Sequence, residues 1–496
     1  MLRKQSGKQL KMEFVCLEDL VPKDHLLRKI DKYVEFDFIY EKVSSLYCPD
    51  NGRPALDPVV MFKMLFIGYL FNIRSEKQLI REIKVNIAYR WFLGMGLEDP
   101  VPDASTFSQN RRRRFKSSQI YREIFDEIVN QAVGKKMVSG KILYTDSTHL
   151  KANANKNKHT RKEVSKSTKA YIDDLEKEIN EDRKAHGKKP LKPKEPKNET
   201  RQIKSSTTDP DSGYMVRDGK PKGFFYLDHR TVDSQFNIIT DTFVTAGNVH
   251  DSVPYLARLD HQRQTFGFNV ESVGLDAGYL TAPVCHGLDE RGIYGVMPYR
   301  RTPYSKGLFS KRYFLYDASY DAYICPGNHH LKYRTTTREG YREYASNPSI
   351  CRRCELREQC TRSQECRKVI TRHVWEDSRE RVKDNRLTDK GKKIYKRRKE
   401  TVERSFADAK ELHGHRYARM RGLTRVTEQC LLCAAAMNIK KMALYLARKD
   451  RKQHKGNQTG YFALLLRLTR LINRSKLAFL SRLCRSSFIR EYSVAT

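Results

Sequence analysis

The sequence has few long apolar runs, and we expect none of its segments to cross a lipid bilayer. Its longest apolar run, residues 59–71, is interrupted by Lys63 and is shorter than the roughly 20 residues that span a membrane. The N-terminus carries charge without a following apolar stretch, so no secretory signal is expected. No repeat at a fixed period is visible either, which excludes a solenoid. We therefore expect a globular cytoplasmic protein that does not bind membranes.

Acidic residues are scarce compared with basic ones. The 496 residues include 96 Lys and Arg against 59 Asp and Glu, which gives a formal net charge of +37. Few chains carry such a charge unless a polyanion compensates it, so double-stranded DNA or another nucleic acid is the expected partner. With 27 Tyr and 22 Phe the chain is too aromatic to be disordered. Its length suggests several domains of about 100 to 200 residues each.

The N-terminal part, residues 1–135, is predicted to be an all-α domain that binds DNA ends or mediates dimerisation. Apolar residues recur at helical spacing between residues 17 and 115, and Ser75 with Gln78 has the pattern of a helix-capping box. Four consecutive arginines, Arg111, Arg112, Arg113 and Arg114, could grip phosphates beside a helix-turn-helix. A helical packing domain with a solvated basic end fits the same pattern equally well.

Two further segments are strongly basic. Residues 151–208 combine a charged helix candidate with a stretch rich in Pro and Lys, and we predict a mobile insertion that faces DNA, although a solvated charge run has the same composition. The tail, residues 450–496, contains a Leu-rich basic helix candidate. A helix that faces DNA or packs on a partner fits the rest of the chain better than one that binds a membrane surface.

Three separated acids are candidate metal ligands. Residues 141–150, KILYTDSTHL, are predicted to form a strand whose apolar part Asp146 closes. Asp276 closes the later strand SVGL, so both acids are expected at the carboxyl ends of strands, where the ligand sites of open α/β sheets collect. Glu403 lies on a helix whose apolar stripe includes Val402 and Phe406. Mg²⁺ or Mn²⁺ takes few protein carboxylates and completes its shell with water and phosphate oxygens, and a pair of such ions catalyses phosphoryl displacement. Asp228 is the fallback ligand.

Five motifs together resemble those of the DDE transposases of bacterial insertion sequences. They are DST from residue 146, GLDAGY from 274, VERSFADAK from 402, DPDSGY from 209 and VTAGNVHDS from 244. The resemblance covers roughly residues 15–448 and is closest to the subgroup with a Cys-rich insertion between the second Asp and the Glu. It implies an RNase H-like mixed sheet with flanking helices. Along the chain, the elements of this fold follow in the order three strands, helix, strand, helix, strand, helix. It also implies metal-dependent DNA cleavage at terminal inverted repeats, strand transfer into target DNA, a homodimer in the synaptic complex, and a place on the bacterial nucleoid.

Carried over to this sequence, the resemblance makes Asp146, Asp276 and Glu403 the metal-binding catalytic residues. Lys410, seven residues after Glu403, matches the Lys that contacts DNA in many relatives. The common signature also has an Arg four residues before the Glu, but that position holds Lys399, and Arg398 lies one residue further back. Residues 392–425 are strongly basic, so Lys399, Arg398, Arg404 and Lys410 are all predicted to bind DNA phosphates.

The cysteines between residues 325 and 366 predict a zinc site. Cys351 and Cys354 have the spacing that allows two thiolates to reach one tetrahedral Zn²⁺, and Cys325 and Cys360 could complete the set. His329, His330 or Cys366 could replace one of them. A closed shell of four thiolates would be structural, while the alternative is a set of small buried thiols.

These predictions divide the chain into an α/β core with additions. Residues 136–299 and 381–449 would form the core, with the insertion 151–208 in its first part. Residues 300–380 would form the Cys-rich insertion. A DNA-binding protein that has lost catalysis, and a cellular RNase H-like nuclease, are the alternative functions. The former conflicts with three intact acids, and the latter has less need for a separate end-binding domain.

Overall fold

A computed structural model describes residues 14–48, 55–116, 118–165, 172–192, 200–216, 221–299 and 307–453. The protein is a mixed α/β protein, as the sequence predicts. The α-helices are α1 Leu17–Leu20, α2 Leu26–Tyr33, α3 Phe38–Val43, α4 Pro58–Leu70, α5 Glu76–Val85, α6 Ile87–Leu93, α7 Ser105–Arg113, α8 Ile120–Gly134, α9 Ile172–Ala185, α10 Tyr255–Phe266, α11 Ala282–Glu290, α12 Pro348–Arg352, α13 Arg357–Cys360, α14 Glu376–Leu387, α15 Asp389–Arg397, α16 Arg404–Leu412 and α17 Leu423–Gln453.

The strands form three sheets. They are β1 Ile142–Lys151, β2 His159–Ser165, β3 Thr200–Ser206, β4 Gly213–Met215, β5 Gly223–Asp233, β6 Ile239–Ala246, β7 Ser272–Gly274, β8 Tyr294–Val296, β9 Leu315–Asp317, β10 Ala322–Ile324, β11 His330–Thr336, β12 Tyr341–Ala345 and β13 Val369–His373. A short 3₁₀ turn covers Ala277–Tyr279, and a π-helical turn covers Lys399–Glu403 between α15 and α16.

The central sheet has the strand order β6, β5, β1, β7, β8, with β4 also paired to β5. β1 is antiparallel to β5 and β5 to β6, whereas β1, β7 and β8 run parallel. Along the chain these strands alternate with α10 after β6, α11 after β7 and the helices from α14 to α16 after β8. This is the predicted order of elements, interrupted by two insertions.

The second insertion, between β8 and α14, contains an antiparallel sheet of β13, β12, β11, β10 and β9 around a core rich in tyrosine. The first insertion contains the predicted charged helix, α9, and also the hairpin β2–β3, which was not predicted. α9 packs on the second insertion, because Asp182 accepts hydrogen bonds from Arg342 and Thr336, and the His186 ring stacks on Tyr333 at 3.7 Å. Whether this segment faces DNA stays a prediction.

The described residues divide into two compact units whose boundaries differ from the predicted domain ends. One unit contains residues 14–36, 87–97 and 439–453, and the other contains residues 37–86 and 98–438. In the first, the side chains of Leu27 and Ile30 are buried and the Phe36 and Phe92 rings meet edge to face. The second unit contains both the central sheet and helices of the segment 1–135, and the predicted domain division stays a prediction.

Helix boundaries follow local sequence signals. Asp57 accepts a hydrogen bond from the backbone of Val60 at the start of α4, and Ser75 accepts one from Gln78 at the start of α5, as the capping pattern predicts. α17 is long and apolar enough, by length and composition, to cross a membrane, but 67% of its apolar window is buried, which is typical of a core helix. The tail prediction lies almost wholly outside the described residues.

Candidate active site

Two of the predicted acids lie at the same level of the central sheet. β1 pairs with β7 through residue 144 opposite residue 274, and Asp146 and Asp276 each follow two residues later. Asp146 is within β1 rather than at its end, since β1 continues in register with β5 after β7 has stopped. Gly274 allows this pairing, because a Cβ atom there would lie 2.7 Å from the Tyr144 ring. Asp276 is half exposed and accepts a hydrogen bond from the backbone of Ala277.

A buried arginine joins these two acids. Arg398 is only 4% exposed, and one of its terminal nitrogens donates to the Asp146 carboxylate at 2.6 Å. The other terminal nitrogen lies 3.8 Å from Asp276 Oδ1. Arg398 immediately precedes the π-helical turn, and the backbone of Glu403 donates to the Arg398 carbonyl at 3.1 Å, five residues back.

Glu403 ends the π-helical turn and is exposed. The turn packs against β1 and β5, and α16 continues from it. Arg230 of β5 fixes α16, because its fully buried guanidinium donates to Ser405 Oγ at 3.0 Å and lies 5.0 Å from the Phe406 ring. Arg230 also pairs in register with Asp146. The helix carrying Glu403 is therefore docked on the strand next to the one carrying Asp146.

Asp251 is a further acid at this site that was not among the predicted metal ligands. Ser147 donates a hydrogen bond to Asp251 Oδ1 at 2.8 Å. Burial raises the pKa of Asp146 to about 6, the nearby Asp276 and Asp251 charges act in the same direction, and Arg398 opposes them. The buried Tyr279 hydroxyl, whose pKa is raised by burial and by Asp251 and Asp146, has no hydrogen-bond partner among the described residues. The signal for Asp251 was its position after β6, within the motif VTAGNVHDS.

Asp228, the fallback ligand, has a structural environment. It is fully buried and accepts hydrogen bonds from Arg230 at 2.8 Å, from Thr242 and from His415 at 3.0 Å. Burial opposes its ionisation, yet the Arg230 charge and the other donors bring its pKa below the ordinary value.

Among the described residues, one set of three ligand atoms lies within 4.8 Å of one another, that of Asp228, His415 and Cys430. Arg230 occupies the same Asp228 oxygen, so these atoms form a buried ion-pair network. Asp146, Asp276 and Glu403 are not gathered this closely, and Arg398 lies between the first two. The carboxylates of Asp146 and Asp276, which now contact Arg398, are nevertheless the kind of ligand that Mg²⁺ prefers.

The predicted DNA-binding residues occupy different environments. Lys399, Arg404, Arg112 and Arg113 are exposed, while Lys410 and Arg114 are half-buried and Arg398 is buried. Arg111 is largely buried and pairs with Glu76 and Glu428. Their contacts with DNA stay a prediction.

The four predicted zinc ligands line one cavity of the second insertion. Cys325 follows β10, Cys351 lies in α12, Cys354 follows α12, and Cys360 ends α13. The backbone of His329 donates to Cys325 Sγ at 3.4 Å. His329 and His330 line the same cavity, whereas Cys366 is buried elsewhere and is not among the lining residues.

Two parts of the chain match family models of transposases. Residues 15–113 match a family model described as a transposase domain (DUF772), and residues 324–443 match one described as a transposase DDE domain. No similar sequence is found among curated proteins. A cryo-EM structure of a piggyBac transposase synaptic complex with hairpin DNA is similar to this chain at 10% identity and a TM-score of 0.32, over 86% of this chain and 76% of that one. A likeness of this size is too low to identify the fold.

Proposed function

The two matched domains identify this chain as a DDE transposase, an enzyme of DNA transposition, and from that premise we propose that Asp146, Asp276 and Glu403 form its catalytic site. The observation that supports this most is the equal level of Asp146 and Asp276 on the parallel pair β1–β7, with both acids in contact with one buried cation. The docking of the Glu403 helix on the neighbouring strand β5 supports the third member.

We also infer that the core is RNase H-like. Its support is the central strand order, with β6, β5 and β1 antiparallel and β7 and β8 parallel to β1, together with helices between the later strands. In such a sheet the carboxyl end of the parallel strands is where a substrate phosphate can approach.

The three carboxylates suit a pair of Mg²⁺ or Mn²⁺ ions. Bound there, divalent cations would stabilise the charge that develops on the attacking and leaving oxygens of an in-line phosphoryl displacement. Asp146, half enclosed and close to two other acids, is disfavoured as an isolated anion, as its raised pKa reflects. A cation at this place would relieve that cost.

The reaction has two chemically similar steps. In the first, a water oxygen bonds to the phosphorus at the element's end, and the bond from that phosphorus to the 3′ oxygen breaks to give a 3′-hydroxyl. In the second, this hydroxyl attacks a phosphodiester of the target DNA, and a target 3′ oxygen leaves. The same three acids serve both steps, because only the nucleophile and the DNA strand change.

The surrounding basic side chains would hold the DNA. Lys399, Arg404 and Lys410 lie on or beside the helix of Glu403, where phosphate contacts give affinity and register without sequence readout. Arg112 and Arg113 at the end of α7 are exposed and can contact a separate stretch of backbone. We propose that terminal inverted repeats are read by the N-terminal helices and that a homodimer joins the two ends.

Cys325, Cys351, Cys354 and Cys360 are proposed to bind one structural Zn²⁺. Their common cavity supports this, as does the backbone hydrogen bond to Cys325 Sγ. The core of this insertion includes Cys325 and Cys360 at its edge, so a metal there would stabilise the small sheet.

Cleavage of repeat-flanked DNA tests the catalytic assignment. Purified protein is mixed with Mg²⁺ or Mn²⁺ and DNA carrying the element's terminal repeats, and nicks are mapped on sequencing gels. We expect nicks at the repeat ends that disappear in Asp146→Ala, Asp276→Ala and Glu403→Ala. Glu411→Ala is the matched control for the third variant, since Glu411 is an exposed acid of the same helix that pairs with Arg416.

The alternatives give different outcomes. Specific binding of the repeats without cleavage would favour a protein that has lost catalysis. Cleavage without preference for the repeats and without strand transfer would favour a cellular nuclease. Full activity of any of the three alanine variants would contradict that residue's assignment.

A further inference from the structure

We infer that Arg398 is the resident counter-ion of the acid pair Asp146 and Asp276, and that a divalent cation binds this pair only when the guanidinium moves aside. The inference rests on the proposed function, because it takes the acid pair to be the cation site. It assigns Arg398 a positioning role in the DNA-free protein that precedes any contact with DNA.

The contacts of Arg398 are those of a counter-ion. The side chain is almost fully buried, and its two terminal nitrogens are directed at the two carboxylates, at 2.6 Å from Asp146 and 3.8 Å from Asp276. Its Nε has no hydrogen-bond partner among the described residues. Because the guanidinium cannot lose its proton in a protein, it is a permanent positive charge at this position. Among the described residues, the two acids are therefore the only groups that pair with the side-chain N–H donors of Arg398.

A metal ion and this guanidinium cannot share the same oxygens. Mg²⁺ binds oxygens at about 2.1 Å and requires near-octahedral geometry. A cation held by Asp146 and Asp276 would compete with Arg398 for the carboxylate charge, and the two positive charges would repel each other. Cation binding is therefore favoured when the arginine leaves these acids.

The π-helical turn gives the arginine a way to move. Arg398 and Glu403 are five residues apart and joined by a π-type backbone hydrogen bond, so they are separated by one π-helical turn. In regular α-helical geometry the same separation would rotate them apart by about 140°. A change from π to α geometry in this turn would therefore redirect Arg398 away from the acids without unfolding the helix. Single π turns are rare in proteins, but many of those that occur lie at functional sites.

Binding of Mn²⁺ to the full-length, DNA-free protein tests the inference without any measurement of activity. Free Mn²⁺ is followed by electron paramagnetic resonance during titration. We expect Arg398→Gln to bind at least tenfold more tightly than the unmodified protein. Lys393→Gln is the matched control, because it removes the same charge from an exposed position of α15, and it should leave the affinity unchanged. Asp146→Asn added to Arg398→Gln should abolish the gain, which locates it at the acid pair.

The outcomes separate this inference from the proposed function. Equal affinity in the unmodified protein and in Arg398→Gln, lost in both with Asp146→Asn, would overturn the counter-ion role and leave the cation site intact. Mn²⁺ binding that is insensitive to Asp146→Asn in both backgrounds would refute the cation site and the inference with it. If circular dichroism shows that Arg398→Gln does not fold, Arg398→Lys replaces it. One ammonium can contact only one acid well, so at least threefold tighter binding is expected, and unchanged binding would overturn the inference.

Discussion

The buried pair of Arg230 and Asp228 should be a main determinant of stability in the core. Both side chains are fully buried and lie 2.8 Å apart, and Arg230 also bonds to Ser405 of α16. In Arg230→Met the Asp228 carboxylate would stay buried with Thr242 and His415 as its remaining donors. Breaking one side of a buried pair costs about 3–5 kcal/mol. Because His415 still faces Asp228, we expect a loss in unfolding free energy of about 3 kcal/mol.

The measurement is thermal unfolding followed by circular dichroism at neutral pH. In a unit of this size each kcal/mol shifts the midpoint by about 1.2 °C, so a decrease of roughly 4 °C is expected. Arg404→Gln, which removes an exposed pair with Asp408, should shift the midpoint by less than about 2 °C. Adding Asp228→Asn to Arg230→Met removes the uncompensated charge and should recover part of the loss. A single variant as stable as the unmodified protein, or a double variant less stable than the single, would refute this reasoning.

Three further predictions concern other regions. Burial raises the pKa of Asp126 to about 6 from an ordinary 3.8. Stability therefore falls as the pH rises from about 4 to about 6 and stays lower above that, by up to about 3 kcal/mol at roughly 1.4 kcal/mol per unit. Asp126→Asn should therefore raise the unfolding midpoint at pH 7.5 and give no gain near pH 4, and an equal gain at both pH values would contradict the assignment. Replacing Arg112 and Arg113 with Gln should flatten the dependence of log affinity for DNA on log salt by about two, while an unchanged slope would remove them from the interface. Elemental analysis should find one zinc per chain, lost in Cys351→Ser with a lower unfolding midpoint and kept in Cys366→Ser, and absence of zinc from the unmodified protein would defeat the metal prediction.

The order of the core elements could be predicted from sequence because their signals are local. Strand-forming runs before Asp146 and Asp276 and the apolar stripe around Glu403 depend on residue spacing alone. The caps at Asp57 and Ser75 likewise need only neighbouring residues. Such features can be predicted without knowledge of the tertiary contacts.

Features that depend on distant contacts could not be predicted. The strand over residues 141–150 was predicted, but its antiparallel pairing with β5, more than 80 residues later along the chain, was not. Asp228 and Asp251 look alike in sequence, and only the packing of Arg230 and His415 makes the first a structural acid. The position of Arg398 five residues before Glu403 was visible in the sequence, but the π turn that separates them was not.

The first and second insertions share a small hydrophobic core. Leu175 and Ile179 of α9 pack against Val374 and Trp375 at the end of the small sheet, although the chain between them passes through most of the central strands. Gly340 leaves room for this seam, since a Cβ there would lie 2.8 Å from Leu175. A second insertion moved alone into another protein would expose apolar side chains that α9 covers, and it would leave Arg342 without its Asp182 partner. Exchange of the second insertion between related proteins should therefore give a folded protein only when the first insertion is exchanged with it.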